Sequence, residues 1–318
     1  MSTKRKLGSS EFANFIAGIS SILESSEDES LIVELRDRVE KAQTILDLMK
    51  NKPRAFSSIE YNDFVKMNNS MHWNLPKDLH RMPDFRPQLI KVPNYILELI
   101  KNELQTKTQT IGVLSATNNE EKRKPFIDTF VYSCVNMFQG EITNDNMTNP
   151  KFQGRIEYIL KAFSEIIIVI LEAKKDIEYQ ANYGQVMAEL YSSYWYNQSI
   201  TANVYGILTT GENWQWWKYD GKTFYANKEF IKLRNDNPKS LPLVTSFVYS
   251  IIITAWTEAC KTYLKDHEAV EKAQDQIFSA RTNGESVEAF NNLKRVINDI
   301  KEQLGHSDDE WNYETDYM

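Results

Sequence analysis

An isoleucine-rich run constrains the fold of this 318-residue chain more than any other feature. β-Branched residues occupy every position from Ile166 to Ile170. A run without alternation between apolar and polar residues is typical of a strand buried on both faces. We therefore predict a strand over 165–174 and another over 155–160, joined by a tight turn.

Helical spacing surrounds these two strands. Apolar residues recur at spacings of three and four over 120–138 and again over 180–195, which predicts two helices. A hairpin is predicted from 204 to 219 around a Gly211–Asn213 turn. The resulting order is helix, strand, strand, helix, strand, strand. This order predicts an α/β sandwich core of roughly 140 residues, a normal size for one domain.

The flanking regions differ from the core in composition and in the spacing of apolar residues, and we predict five segments along the chain. They are a flexible tail at 1–25, a helical N-terminal region at 26–112, the core at 113–240, C-terminal helices at 241–305, and an acidic tail at 306–318. Within them we predict helices at 30–49, 94–103 and 284–304, and a helical region broken at most once over 246–280. The stretches 52–92 and 143–149 are predicted to be irregular connections.

Composition narrows the class of protein. Hydrophobic residues make up 42% of the chain and charged residues 25%, as in ordinary globular domains. The net charge of -7 argues against a protein that coats nucleic acid, although local basic groups could still serve an enzyme. The two cysteines and four histidines show no disulfide or zinc-ligand spacing.

Two further features bear on localisation. The longest apolar stretch, 241–256, looks too short and too polar to span a bilayer. No apolar run typical of a secretory signal follows the first residues. We therefore expect an intracellular protein, cytoplasmic or nuclear, with no membrane partner.

The strand pair brings chemistry together at one point. Glu172 and Lys174 are two residues apart, so their side chains emerge on the same face of the sheet. Antiparallel pairing of the two predicted strands can place Glu157 beside Glu172. Two carboxylates next to a lysine form a small oxygen-ligand pocket for Mg²⁺ or Mn²⁺. The lysine can hold a water molecule that attacks phosphorus, while the metal neutralises the developing charge.

These residues resemble a known family of enzymes. Glu157 followed by Glu172-Ala173-Lys174 at the end of a strand is similar to the PD-(D/E)xK nuclease superfamily. More narrowly, the chain resembles the nuclease-like domains of fungal and oomycete Crinkler-type proteins. The matching segments lie within 118–226, less than half of the chain. They are 119–123 with Phe126 and Ile127, 154–158, 171–175, Gln185, and 204–214.

The resemblance implies a restriction-endonuclease-like α/β/α sandwich and a metal-dependent nuclease acting on nucleic acid, with DNA favoured over RNA. Glu157 and Glu172 would bind Mg²⁺ or Mn²⁺ together with the backbone carbonyl of Ala173. Lys174 would position the attacking water. The family usually has Asp where this chain has Glu157, which leaves open an inactive, binding-only fold. Two further catalytic residues are implied, Glu120 in the first helix and Gln185 in the second.

Simpler interpretations stand beside these. A Glu-x-Lys triplet is common on solvated helix surfaces, and acids such as Glu120 are favoured in any first helical turn. The Trp214–Trp217 cluster could stack bases, but alternation favours core packing for most of it. The basic run from Lys218 to Lys239 could follow a phosphate backbone or be solvated surface. The flanking helices could pack on the core, bind a protein partner or self-associate.

Overall fold

The structure is a computed structural model. It describes residues 53–71, 73–77, 81–115, 119–135, 141–143, 146–148, 151–162, 166–177, 180–197, 203–234, 237–263 and 268–303. The predicted tail at 1–25, helix at 30–49 and acidic tail at 306–318 lie outside these residues.

The chain divides into two compact units. One contains Met1–Ala55 and Thr148–Gln153, and the other contains Phe56–Met147 and Gly154–Met318. In the first unit, strand β1 (Arg54–Ala55) pairs in parallel with Phe152 and Gln153. The candidate site and most of the described secondary structure belong to the second unit.

The helices and strands of the described residues have the following bounds. The helices are α1 (Tyr61–Met71), α2 (Asn94–Ile111), α3 (Glu120–Val135), α4 (Gln180–Tyr196), α5 (Ser240–Tyr263), α6 (Glu268–Ser279) and α7 (Asn283–Gln303). The remaining strands are β2 (Glu141–Thr143), β3 (Asn146–Thr148), β4 (Phe152–Arg155), β5 (Tyr158–Ala162), β6 (Ile166–Ala173), β7 (Val204–Thr209), β8 (Asn213–Tyr219), β9 (Phe224–Ala226) and β10 (Ile231–Lys232).

The central sheet has the order β10-β8-β7-β6-β5-β2, with β9 added beside β8. Strand β6 pairs in parallel with β7 and antiparallel with β5. Every residue of β6 is buried, as the unbroken isoleucine-rich sequence predicted.

The predicted antiparallel pairing of β5 and β6 is confirmed, with Tyr158 opposite Leu171 and Ile159 opposite Ile170. Strand β5 begins at Tyr158, three residues later than the predicted start at 155. At Glu157, just before β5 begins, the side-chain carboxylate accepts a hydrogen bond from the backbone N–H of Ala173. A side-chain acceptor therefore stands where a longer strand would have offered a backbone carbonyl.

Helices cover both faces of the sheet. On one face Trp214 meets Phe130 of α3 edge to face, and Trp216 stacks on Phe247 of α5 at 3.9 Å between ring centroids. On the other face Trp217 lies against Tyr183 of α4. The three tryptophans are buried, so the prediction that most of this cluster packs in the core is confirmed. The fold of this unit is mixed α/β.

The region after the sheet is helical as predicted, with its break between α5 and α6. Helix α5 is longer than the predicted apolar stretch 241–256, mainly because it continues past Trp256 to Tyr263. Its Ser240–Lys261 segment is long and apolar enough to cross a membrane by length and composition, so the prediction that this stretch is too short and too polar was wrong. The most apolar window of this segment is 72% buried within the protein, as in a core helix.

Two predicted connections contain regular structure. Helix α1 lies within 52–92, although its asparagine-rich sequence lacks a clear helical signal. It forms because Tyr61 and Phe64 are buried, with Phe64 stacked on Trp73 at 4.9 Å. Strands β2 and β3 interrupt the predicted connection at 143–149; β2 pairs antiparallel with β5. Tertiary contacts override weak local preference in these places.

Candidate active site

The candidate site forms where β6 ends. The Glu172 carboxylate is only 2% exposed, and its Oε1 lies 2.5 Å from Nζ of Lys174. The backbone N–H of Lys174 donates to the carbonyl of Thr209 on β7 at 2.8 Å. This bond continues the β6–β7 ladder by one residue, so the lysine is held in place just beyond the strand.

Glu157 approaches the same strand end from β5. Its Oε2 accepts the backbone N–H of Ala173 at 2.9 Å, and its Oε1 lies 2.7 Å from Nζ of Lys124 on α3. Continuing the β5–β6 register by one residue sets Glu157 opposite Glu172. Two carboxylates and two ammonium groups therefore meet at one edge of the sheet. Lys124 was not among the predicted site residues.

Gln185 reaches this cluster from α4. Its Nε2 donates to Oε1 of Glu172 at 2.7 Å and to Oε1 of Glu189 at 2.8 Å. Gln185 thus links the strand that carries Glu172 to a second acid one helical turn further along α4. The structure therefore brings together Glu157, Glu172, Lys174 and Gln185.

Glu189 is the acidic residue that sequence reasoning missed. It is fully buried, and its Oε2 has no hydrogen-bond partner among the described residues. Loss of solvent, reinforced by the negative charge of Glu172, raises the pKa of Glu189 well above its ordinary value. The sequence signal that could have indicated Glu189 is its four-residue spacing from Gln185, which places both side chains on one face of the helix.

Arg123 fixes the sheet edge on which the cluster stands. Its buried guanidinium donates to the carbonyl of Lys175 at 3.0 Å and to the carbonyl of Thr210 at 3.2 Å. These two carbonyls follow β6 and β7 respectively, so one side chain of α3 ties both strand ends together. The neighbouring Lys124 then points its ammonium at Glu157.

The packing of α4 is equally close. A Cβ built on Gly184 would lie 2.3 Å from the carbonyl oxygen of Ile59 and 2.6 Å from Cα of Glu60. Only a glycine allows the helix to approach this backbone so nearly. Since Gly184 precedes Gln185, this contact sets the distance of Gln185 from the sheet.

Glu120, the remaining predicted site residue, is the first residue of α3. Its side chain lies outside the described part of the structure. Comparisons with family models, curated proteins and solved structures find no match for this chain.

The donor set of the candidate site has the oxygen chemistry that a divalent cation requires. Carboxylate oxygens of Glu157 and Glu172 and the carbonyl of Ala173 are the ligand type that Mg²⁺ and Mn²⁺ prefer. Among the residues whose side chains are described, no three His, Cys, Asp or Glu side chains form a metal-holding group. The donor chemistry therefore fits a hard cation held by few protein ligands, and Mg²⁺ usually keeps several waters.

Proposed function

We propose that this protein is a divalent-metal-dependent nuclease that hydrolyses phosphodiester bonds, with DNA as the favoured substrate. One observation carries the proposal: Glu157, Glu172 and Lys174 converge at the end of a buried strand. The helices on both faces of the sheet are the layering that a restriction-endonuclease-like sandwich would have. The PD-(D/E)xK resemblance seen in the sequence supports the same assignment.

Each side chain has a part in this chemistry. Glu157 and Glu172, with the carbonyl of Ala173, would hold Mg²⁺ or Mn²⁺. The bound cation would supply charge stabilisation for the phosphoryl oxygens. Lys174 would hold the attacking water by a hydrogen bond from its ammonium group. Gln185 would keep the Glu172 carboxylate in one orientation, because its amide already donates to Oε1.

Hydrolysis makes one bond and breaks one. The water oxygen bonds to phosphorus, the bond from phosphorus to one ester oxygen breaks, and that oxygen leaves with a proton. The proton that the leaving oxygen takes up comes from solvent or from the attacking water that Lys174 orients. Lys124, whose Nζ lies 2.7 Å from Oε1 of Glu157, would also place positive charge beside the scissile phosphate.

A cleavage assay tests the proposal. Purified protein with Mn²⁺ should cut plasmid or single-stranded DNA, and Glu172→Gln and Lys174→Ala should each abolish cutting. Lys272→Ala, at an exposed position on α6, is the matched control and should cut like the wild type. Circular dichroism must show that each variant is folded. Equal cleavage by all four proteins would overturn the assignment.

A second function is favoured by the charge balance of the cluster. Lys124 and Lys174 already pair with Glu157 and Glu172, so the two carboxylates are compensated without a metal. This arrangement would suit a catalytically inactive nuclease fold that binds nucleic acid or a protein partner. Calorimetric titration with Mn²⁺ separates the two functions. A site that is lost in Glu157→Ala supports the nuclease, and no heat of binding supports the inactive module.

A further inference from the structure

A groove of about 590 Å³ lies beside β8 and β10, outside the candidate site. Its apolar part includes Trp216, Leu243 and Phe247. Its basic part consists of Arg86, Lys232, Arg234 and Lys239, against one described acid, Glu229. We call this feature the basic groove.

The cations of the basic groove are largely uncompensated. Lys232, Arg234 and Lys239 are exposed, and none of their side chains forms an ion pair within the described part of the chain. Arg86 differs, because it pairs with Asp84 at 2.7 Å and lies 3.7 Å from Glu229. In a protein with a net charge of -7, such a local excess of positive charge favours an anionic ligand.

The basic groove and the candidate site lie on opposite faces of the sheet. Trp216, at the back of the groove, stacks on Phe247 of α5. Glu172 instead faces α4, where its carboxylate accepts a hydrogen bond from Gln185. The groove is therefore a surface separate from the proposed cleavage cluster.

A second groove adjoins the basic groove. It has a volume of about 450 Å³, shares Arg234, Asn237 and Ser240 with the basic groove, and extends to Phe126 on α3. The exposed side chain of Arg234 therefore borders two concave surfaces.

We infer that the basic groove binds single-stranded nucleic acid through its phosphates, on a surface separate from the proposed cleavage cluster. Lys232, Arg234 and Lys239 contact the phosphates of the bound strand. A nucleic-acid backbone carries a charge at every phosphate, which suits three exposed cations in one groove, and an acidic peptide is the competing outcome of the test below. The inference rests on the proposed function for its choice of ligand, whereas the groove itself is independent of catalysis.

Binding is measured by fluorescence anisotropy with a short labelled oligothymidylate in EDTA, so that metal-dependent cleavage cannot interfere. The combined variant Lys232→Ala, Arg234→Ala, Lys239→Ala should bind about tenfold more weakly or worse at low salt. The slope of log affinity against log salt should fall by about 2, from three phosphate contacts at roughly 0.7 each.

The matched control removes the same charges elsewhere, by Lys66→Ala, Lys272→Ala and Arg295→Ala, and should leave affinity and slope unchanged. Unchanged binding in the groove variant, or tighter binding of polyglutamate than of the oligonucleotide, would overturn the inference. Failure of the proposed function is separable. A wild type that binds through the groove but cuts no DNA would refute the nuclease and leave the groove standing.

Discussion

Nε2 of Gln185 lies 2.8 Å from Oε1 of Glu189, one turn further along the same helix. The same nitrogen donates to Oε1 of Glu172 on the central strand. The orientation of the Gln185 amide therefore depends on both acceptors. Glu189 acts on the end of β6 through Gln185, which it orients. This makes Glu189 a positioning residue for the proposed site.

Replacing Glu189 with glutamine should stabilise the metal-free protein at pH 8 by about 1–2 kcal/mol. Burial raises the pKa of Glu189, so the folded protein retains a proton that the unfolded chain releases. Stability is therefore lost as the pH rises above the ordinary glutamate pKa, and the glutamine variant lacks this loss. Urea unfolding in EDTA at several pH values measures the difference.

The control is Glu288→Gln, at an exposed position on α7, which should change stability by less than about 0.5 kcal/mol at any pH. A wild type as stable as Glu189→Gln throughout the pH series would show that Glu189 is ionised and compensated in the fold.

The Glu172–Lys174 pair should be strongly coupled. Lys174→Met leaves a nearly buried carboxylate with one fewer positive partner, so we expect a loss of about 2–3 kcal/mol. Adding Glu172→Gln should restore part of that loss, giving a coupling energy above about 1 kcal/mol in a double-mutant cycle. The exposed pair Glu98–Lys101 is the control and should couple by less than about 0.5 kcal/mol. Equal coupling in both pairs would contradict the burial argument.

Gly184→Ala should destabilise the protein by about 3 kcal/mol or more, because the new methyl group would collide with the backbone at Ile59 and Glu60. Alanine is otherwise the better helix former. Gly284→Ala provides the matched control, since nothing lies within 4 Å of its added Cβ, and should be neutral or stabilising by up to about 1 kcal/mol. Thermal unfolding of both variants measures the contrast. Equal effects would mean that α4 does not pack as described.

Cys134 should make stability fall at high pH. Burial raises the pKa of its thiol from 9.0 to about 12, so the unfolded chain loses the proton first. The difference in unfolding free energy between wild type and Cys134→Ala should shift against the wild type by about 1.4 kcal/mol per pH unit above pH 9. Denaturant unfolding between about pH 8 and pH 11 checks this, because the folded and unfolded chains differ in thiol protonation over most of that range. A pH-independent difference would show that the thiol is solvated.

The local sequence pattern was sufficient to predict an element wherever only one type of secondary structure fits that pattern. The isoleucine-rich run could only be a buried strand, and Glu172 and Lys174 two residues apart had to share a face. The short connection to the preceding strand made an antiparallel neighbour the simplest partner, and this brings Glu157 to the same edge. These inferences use covalent geometry and side-chain alternation, which no tertiary contact can alter.

Other parts of the site depend on partners far apart in the chain. Lys124 meets Glu157 because Arg123 anchors α3 to the ends of β6 and β7. The role of Glu189 appears only once α4 lies on the sheet, since a glutamate in a helix is ordinarily solvated. Helix α1 exists because the aromatic cluster around Trp73 buries one of its faces.

The sequence by itself determined the strand, its neighbour and the residues that end it, because periodicity and chain connectivity are local. The tertiary structure decided which acids lose their water, which cations compensate them, and which stay free along the basic groove. Those properties follow from burial and distance between elements, and a buried carboxylate such as Glu189 has the same local sequence signal as a solvated one.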